Sequence, residues 1–354
     1  MLRKTIFLLL SVGWLGGVWV EVIWAGETTP VKTAEKRTAK PQPGEKPTPL
    51  SETEKRALQD LWRNIYTRPE QLAKLSQPTV CILDIQHPDR IYEQLRTLPR
   101  PMEQFYACTF RAKVAEISGL PTLVVHATEI TGQDLDRPQI KAILIGGRSK
   151  SLPREVDERF YPLIRQTKIP ILGICGGCQL IGRAYGAKVT HMRKLQPGEA
   201  DPNPKYHPGW FKEWGPTALE VLKPDPLFAN LPEKPIFREF HAFQIQEPPA
   251  EFDLLASTKE CRVQAIKHRD RLVYAVQFHP ERYDAKHPHG RVLLENFFRL
   301  ALGKLDSQPP PEGKNSKKGG LAHDRRPDTM LFIGRHRKSI GKLRTCQISN
   351  DGLW

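Results

Sequence analysis

Cysteine is scarce in this chain, with six residues in 354. That is too few for a dense disulfide scaffold. Two of the six, Cys175 and Cys178, form a C-x-x-C. No second C-x-x-C and no paired histidines follow at zinc-finger spacing, and His287 and His289 sit in a loop broken by proline and glycine. No metal or other cofactor is therefore expected, and a redox pair or half a zinc site stays as the alternative reading of the C-x-x-C. Acidic residues are also short: 39 Asp+Glu against 54 Lys+Arg leave a net charge of +15. The excess gathers in Pro-, Gly- and Lys-rich flanks. A nucleic-acid module would place its cations on one structured face, so these read as solvated segments and no nucleic-acid partner is expected.

A clear membrane span is lacking too. Residues 6–20 form an apolar run, but it is short for a bilayer and Glu21 interrupts it. Arg3 and Lys4 precede the run and Ala25 offers a cleavage point, so residues 1–25 have the shape of a secretory signal, cleaved or kept as an N-terminal anchor. The expected location is exported or membrane-anchored, and cytoplasmic if this segment is not a true signal.

What is present falls into four parts. After residues 1–25, residues 26–77 read as a polar linker plus one helix. Ser51 and Glu54 make a capping box, and Ala57, Leu58, Leu61, Ile65 and Leu72 recur at helical spacing. Residues 78–303 read as one catalytic domain, and residues 304–354 as a basic tail without periodicity. Within the domain, strands are expected at 80–85, 123–126, 142–147 and 169–174, with helices at 102–117 and 160–167. A polar, proline-bearing stretch (Pro88, Pro99, Pro101) follows the first strand. This alternation implies an α/β fold with a mostly parallel sheet covered on both faces, whose functional groups lie at the carboxyl ends of the strands. Residues 191–214 read as a long polar loop. Short strands at 219–222, 237–240, 252–256, 263–266 and 272–278 then suggest an antiparallel extension, closed by a helix at 292–302.

One stretch carries chemistry. The apolar run ending at Ile174 meets Cys175-Gly176-Gly177, and a helical pattern with Leu180, Ile181 and Ala184 begins at once. That is a strand, a tight turn and a helix whose N-terminus faces the sulfur and favours a thiolate. A nucleophilic cysteine needs a base and the base an orienting group. An apolar strand delivers His279 to its end, Pro280 stops the strand, and Glu281 follows two residues after the histidine. The N–H of Gly176 and the Gly146-Gly147 strand end supply candidate donors to an oxyanion. Cys178 reads as a small buried residue of the helix, or as a partner for Cys175 in an oxidising compartment.

Taken together, these pieces resemble the class I (triad) glutamine amidotransferase family. The nucleophile motif reads Gly173-Ile174-Cys175-Gly176-Gly177-Cys178-Gln179, the base and its orienter read His279-Pro280-Glu281, and the oxyanion strand end reads Gly146-Gly147. Within the family the resemblance is to the glutaminase domain of GMP synthase, carried by residues 180–189, 263–268, 276–281 and 293–298. It implies a flavodoxin-like sheet and a Cys175–His279–Glu281 triad. It also implies an oxyanion hole from Gly147 and Gly176, and a glutamine held in part by Gln179. The substrate would be glutamine or another γ-glutamyl amide. The chain departs from the family at Arg148, where proline is common, and no ATP-pyrophosphatase pattern follows residue 302. An ammonia-accepting synthetase would thus be a separate subunit. Two other readings are a free-standing, exported γ-glutamyl hydrolase of the same fold, and a non-catalytic domain that binds a γ-glutamyl ligand.

Overall fold

The computed structural model describes residues 10–15, 18–23, 51–97 and 105–303. Strands β1 (Leu10–Leu15) and β2 (Val18–Ile23) pair as an antiparallel hairpin within a unit of their own, Met1–Ser51. The segment read as a signal contains this hairpin. The linker at 26–49 and the basic tail at 304–354 lie outside the described residues. No helix among the described residues is long and apolar enough to cross a membrane.

The second unit opens with α1 (Glu52–Ile65) and α2 (Pro69–Leu72). Next come β3 (Thr79–Asp84), α3 (Pro88–Thr97), α4 (Tyr106–Ser118), β4 (Thr122–His126), α5 (Gly132–Leu135) and β5 (Ile140–Ile145). They are followed by α6 (Arg154–Glu158), α7 (Tyr161–Gln166), β6 (Ile171–Ile174) and α8 (Gly176–Ala184). The remainder holds β7 (Val189–His191), β8 (Glu213–Ala218), β9 (Glu220–Val221), β10 (Ile236–His241), β11 (Phe243–Ile245), β12 (Phe252–Ser257), β13 (Ala265–His268), β14 (Val273–Val276) and α9 (His289–Ala301).

The main sheet has eight strands in the order β4-β3-β5-β6-β14-β13-β12-β9. From β4 to β14 every pairing is parallel, and from β14 to β9 every pairing is antiparallel. This is the expected parallel sheet with an antiparallel extension. Side chains alternate across a strand, and here both sets are buried. Val80 and Ile82, with Leu144, Leu172 and Val276, join a cluster covered by α1, α4 and α9. Their neighbours Cys81, Leu83, Ile145, Ile171 and Ala275 join a second cluster covered by α7 and α8. Apolar runs such as residues 142–145 follow from that two-sided burial, because neither face meets water there. Each fully buried Leu or Ile contributes roughly 1.5–3 kcal/mol.

The structure corrects several boundaries. The proline-bearing stretch after β3 holds a helix, α3, which begins at Pro88. Proline suits the first helical turn, whose N–H groups have no intrahelical acceptor. The expected strand at 219–222 shrinks to Glu220–Val221. The polar loop at 191–214 is real, but short ribbons flank it: β7 pairs with β11 and β8 with β10. Of their strands only β10 matches an expected one, at 237–240; the others escape because three-residue strands and a strand containing Gly215-Pro216 carry too little alternation to read.

Candidate active site

Strand β6 runs into Cys175, and α8 starts at the next residue. Cys175 has φ 50° and ψ −104°, a conformation L-residues rarely adopt. Its N–H donates to the Val276 carbonyl at 2.8 Å, which ties the turn to β14. The turn is also pressed against the end of β5. A Cβ on Gly177 would lie 2.2 Å from the Ile145 carbonyl oxygen, so only glycine fits there. The sulfur therefore sits above a helix N-terminus, on a backbone that cannot relax toward β5.

His279 follows β14, and its N–H donates to the Arg238 carbonyl at 2.8 Å, which ties it to β10. A single 3-10 turn, Pro280–Arg282, then brings Glu281 back against the ring. Nδ1 and Glu281 Oε1 are 2.7 Å apart, and both side chains are 1% exposed. The Tyr106 hydroxyl donates to the same carboxylate oxygen at 3.0 Å, and Lys113 Nζ donates to the Glu281 carbonyl at 2.8 Å. Phe240 lies edge-on to the imidazole, with ring centres 5.5 Å apart.

The electrostatics follow from this burial and pairing. Burial opposes protonation of His279. The Glu281 charge, the charge of a Cys175 thiolate and the ring's hydrogen bonds to both outweigh it, and the imidazole is pushed up to about 10. Burial alone would raise Glu281, but the His279 charge and hydrogen bond, helped by Arg282, hold it below the usual carboxylate value. Burial, then the Glu281 charge, keep the Tyr106 phenol protonated and able to donate.

Gly147 stands directly beside this group. A Cβ on it would lie 2.9 Å from His279 Cε1 and 3.5 Å from Cys175 Cβ. Gly176 is the first residue of α8, where N–H groups have no intrahelical acceptor. The structure thus brings Cys175, His279, Glu281, Gly147 and Gly176 together. Gln179 points elsewhere: its amide donates toward Gln277 Oε1 at 3.2 Å and the Phe243 carbonyl at 3.4 Å. Cys178 is a free, fully buried thiol, and burial raises it well above the ordinary thiol value.

A cavity of about 420 Å³ opens onto Cys175 and His279. Tyr206, His207, Trp214 and Phe240 form an aromatic wall on one side, and Arg90, Arg148, Ser149, Lys150, Asn203 and Lys205 line the rest. Among the described residues that lining contains four basic side chains and no carboxylate; Arg90, Arg148 and Lys150 pair with Glu93, Asp157 and Asp89 outside it, which leaves Lys205 to meet an anionic ligand. Arg148 is itself locked by a two-pronged pair with Asp157, 2.7 Å on each arm, with both side chains buried. Arg148→Ala is expected to destabilise the protein by about 3 kcal/mol, because it leaves the buried Asp157 with only the more distant Arg183 guanidinium, at 4.0 Å. Chemical denaturation would read this, and a loss within about 1 kcal/mol would contradict it.

Sequence reasoning missed Tyr106, the aromatic wall and the Arg148–Asp157 pair. Tyr106 lies 175 positions from Glu281, and no local pattern links them. The wall comes from the loop and ribbons between β7 and β11. Arg148 was visible only as a residue standing where proline is common.

Comparisons with known proteins bear on this geometry. The family model for glutamine amidotransferase class-I matches residues 113–301. The chain is 34% identical over 179 residues to a glutamine-hydrolyzing GMP synthase subunit of Methanothermobacter thermautotrophicus, covering 51% of this chain and 84% of that protein. It is 33% identical over 245 residues to the glutamine-hydrolyzing GMP synthase of Listeria innocua, covering 65% of this chain but only 43% of that protein. The crystal structure of a glutamine amidotransferase from Thermotoga maritima overlays on 63% of this chain and 98% of its own length, at TM-score 0.45 and 14% identity.

Proposed function

Because this chain belongs to the class I glutamine amidotransferase family, we propose that it hydrolyses the side-chain amide of glutamine through a Cys175–His279–Glu281 triad. The observation that carries the proposal is the alignment of the strained Cys175 with His279, and of His279 with Glu281 at 2.7 Å. The Cys175 thiolate attacks the amide carbon, and the N–H groups of Gly147 and Gly176 hold the oxyanion. His279 gives its proton to the departing ammonia, which leaves a glutamyl thioester on Cys175. Water then loses a proton to His279, attacks the thioester and releases glutamate. Glu281 keeps the ring oriented and its charge favoured. Gln179 acts through the protein, by tying α8 to Gln277 and to the backbone of β11. No cofactor enters these steps. Ammonia release from glutamine by purified protein tests the reading, and an inactive, correctly folded protein would favour the non-catalytic alternative.

Glu281→Gln separates the orienting role from packing. A neutral amide cannot favour the imidazolium, so the His279 pKa falls from about 10. The proton for the leaving ammonia is then lost at lower pH, and the alkaline limb of kcat moves down. The rate falls on the order of 10²–10⁴-fold. A pH–rate profile reads both effects, and an unmoved alkaline limb would remove Glu281 from the triad.

The Methanothermobacter thermautotrophicus relative, which is one subunit of a GMP synthase, suggests that the ammonia passes to a separate synthetase. The basic cavity lining favours a second reading, in which an amide bearing additional carboxylates, such as a γ-glutamyl peptide, is cleaved by a free-standing γ-glutamyl hydrolase. A kcat/KM for γ-glutamyl-glutamate well above that for glutamine would support the hydrolase. Stimulation of glutamine turnover by a partner synthetase would support the amidotransferase. Export belongs to the hydrolase reading, and N-terminal sequencing of the native protein for cleavage after Ala25 tests it.

A further inference from the structure

Behind the Phe240 wall lies a second group of polar side chains that the proposed triad chemistry does not use. Glu213 at the start of β8, Glu239 and His241 on β10, and Cys261 in the loop between β12 and β13 converge there, all buried. The ligand atoms of Glu213, His241 and Cys261 lie within 4.8 Å of one another.

Two buried carboxylates converge on one imidazole nitrogen of this group. His241 Nδ1 stands 2.9 Å from the Phe243 carbonyl, which can only accept, so Nδ1 carries a proton. In a neutral ring Nε2 is then a lone pair. Nε2 faces the Glu213 carboxylate at 3.1 Å and the Glu239 carboxylate at 3.2 Å. Acceptors therefore surround an acceptor. A proton on Nε2 would serve one carboxylate at a time. Glu239 is 0% exposed, and neither of its oxygens has a well-aligned donor. The Cys261 sulfur makes only a weak contact with the Val263 carbonyl, at 3.6 Å.

We propose that Glu213, His241 and Cys261 hold a structural zinc ion, with Glu239, which faces the same His241 Nε2, as the candidate for the fourth position. Mixed O, N and S donors suit zinc, and Glu239 turning in toward the ion would close the fourth position, as in a structural site. A tetrahedral ion with bonds of about 2.0–2.1 Å has ligand–ligand edges of about 3.3 Å, close to the two distances around Nε2. Binding would release the thiol proton, and any proton held on Nε2, to solvent. An outer layer is in place: Gln264 Nε2 donates to Glu213 Oε2 at 2.6 Å, Thr258 donates to Glu213 Oε1, and the Phe243 carbonyl holds His241 Nδ1. The ion would join β8 and β10 to the loop at 258–264. Phe240 lies between two of its ligands, so the ion would also hold the wall that faces His279.

Metal-stripped, reduced protein titrated with Zn²⁺ against a chromophoric chelator tests the site, and Co²⁺ serves as a spectroscopic stand-in. The expected result is one equivalent bound, with a thiolate-to-cobalt charge-transfer band. Cys261→Ser should remove the band and weaken zinc by more than about tenfold, and Glu239→Gln should weaken zinc by a similar factor. Cys175→Ala should leave stoichiometry and band unchanged, which separates this site from the triad's thiol and imidazole. Circular dichroism confirms that each variant is folded. Substoichiometric zinc in the folded parent protein, or a cobalt band lost in Cys175→Ala and kept in Cys261→Ser, would overturn the proposal.

Discussion

Cys175→Ala is expected to lower glutamine hydrolysis on the order of 10⁴-fold or more, with little change in stability. A nucleophile that forms a covalent intermediate has no substitute in a triad, and what remains is the contribution of binding and the oxyanion donors. Stability should change little because Cys175 packs as one small side chain of the core, and the strained φ of 50° is imposed by its neighbours rather than by the sulfur. The Val276 hydrogen bond to its N–H and the glycines on either side persist in the variant. Ammonia release and a denaturation curve on the same preparation check both parts. Activity within about tenfold of the parent would remove Cys175 from the chemistry, and joint loss of activity and fold would give the cysteine a structural role instead.

The second large effect concerns the backbone that positions the sulfur. Gly177→Ala places a methyl group 2.2 Å from the Ile145 carbonyl oxygen, a backbone atom of a central strand. The turn must then move away from β5, and β5 carries the Gly147 end of the site. We expect a loss of more than about 3 kcal/mol, or failure to fold. Gly182→Ala is the matched control on the same helix. Its methyl would lie 2.6 Å from Ile245 Cδ1, the far end of a flexible side chain. There the helix gains roughly 1 kcal/mol from replacing glycine, so the net change should be small. Urea denaturation of the two variants gives the comparison. Equal stabilities would mean that the contact with β5 does not constrain the elbow.

Much of this site could be read before any coordinates, and the reason is local. The nucleophile, its turn and its helix are contiguous, and His279, Pro280 and Glu281 are consecutive. A strand that ends in glycine next to a cysteine has few structural meanings. The central strands were legible because two-sided burial writes unbroken apolar runs such as residues 142–145. What escaped was assembled from distance or from irregular backbone. Tyr106 reaches Glu281 from α4, and the aromatic wall is carried on ribbons of three to six residues. The cluster at Glu213, Glu239, His241 and Cys261 draws on three separate segments, with no spacing rule to link them. Gln179 belongs to both groups. Its place in the nucleophile motif suggests contact with substrate, and its side chain donates to Gln277 and the Phe243 carbonyl, partners that no local pattern announces.

The central claim is that Cys175 carries the glutamyl group. Rapid acid quench of the protein mixed with glutamine, followed by peptide mass spectrometry, tests it most directly. A glutamyl adduct confined to the peptide containing Cys175 is the expected result. The adduct should appear no later than the first ammonia and be absent from Cys175→Ala. Full ammonia release with no adduct on that peptide, or an adduct on another residue, would contradict it.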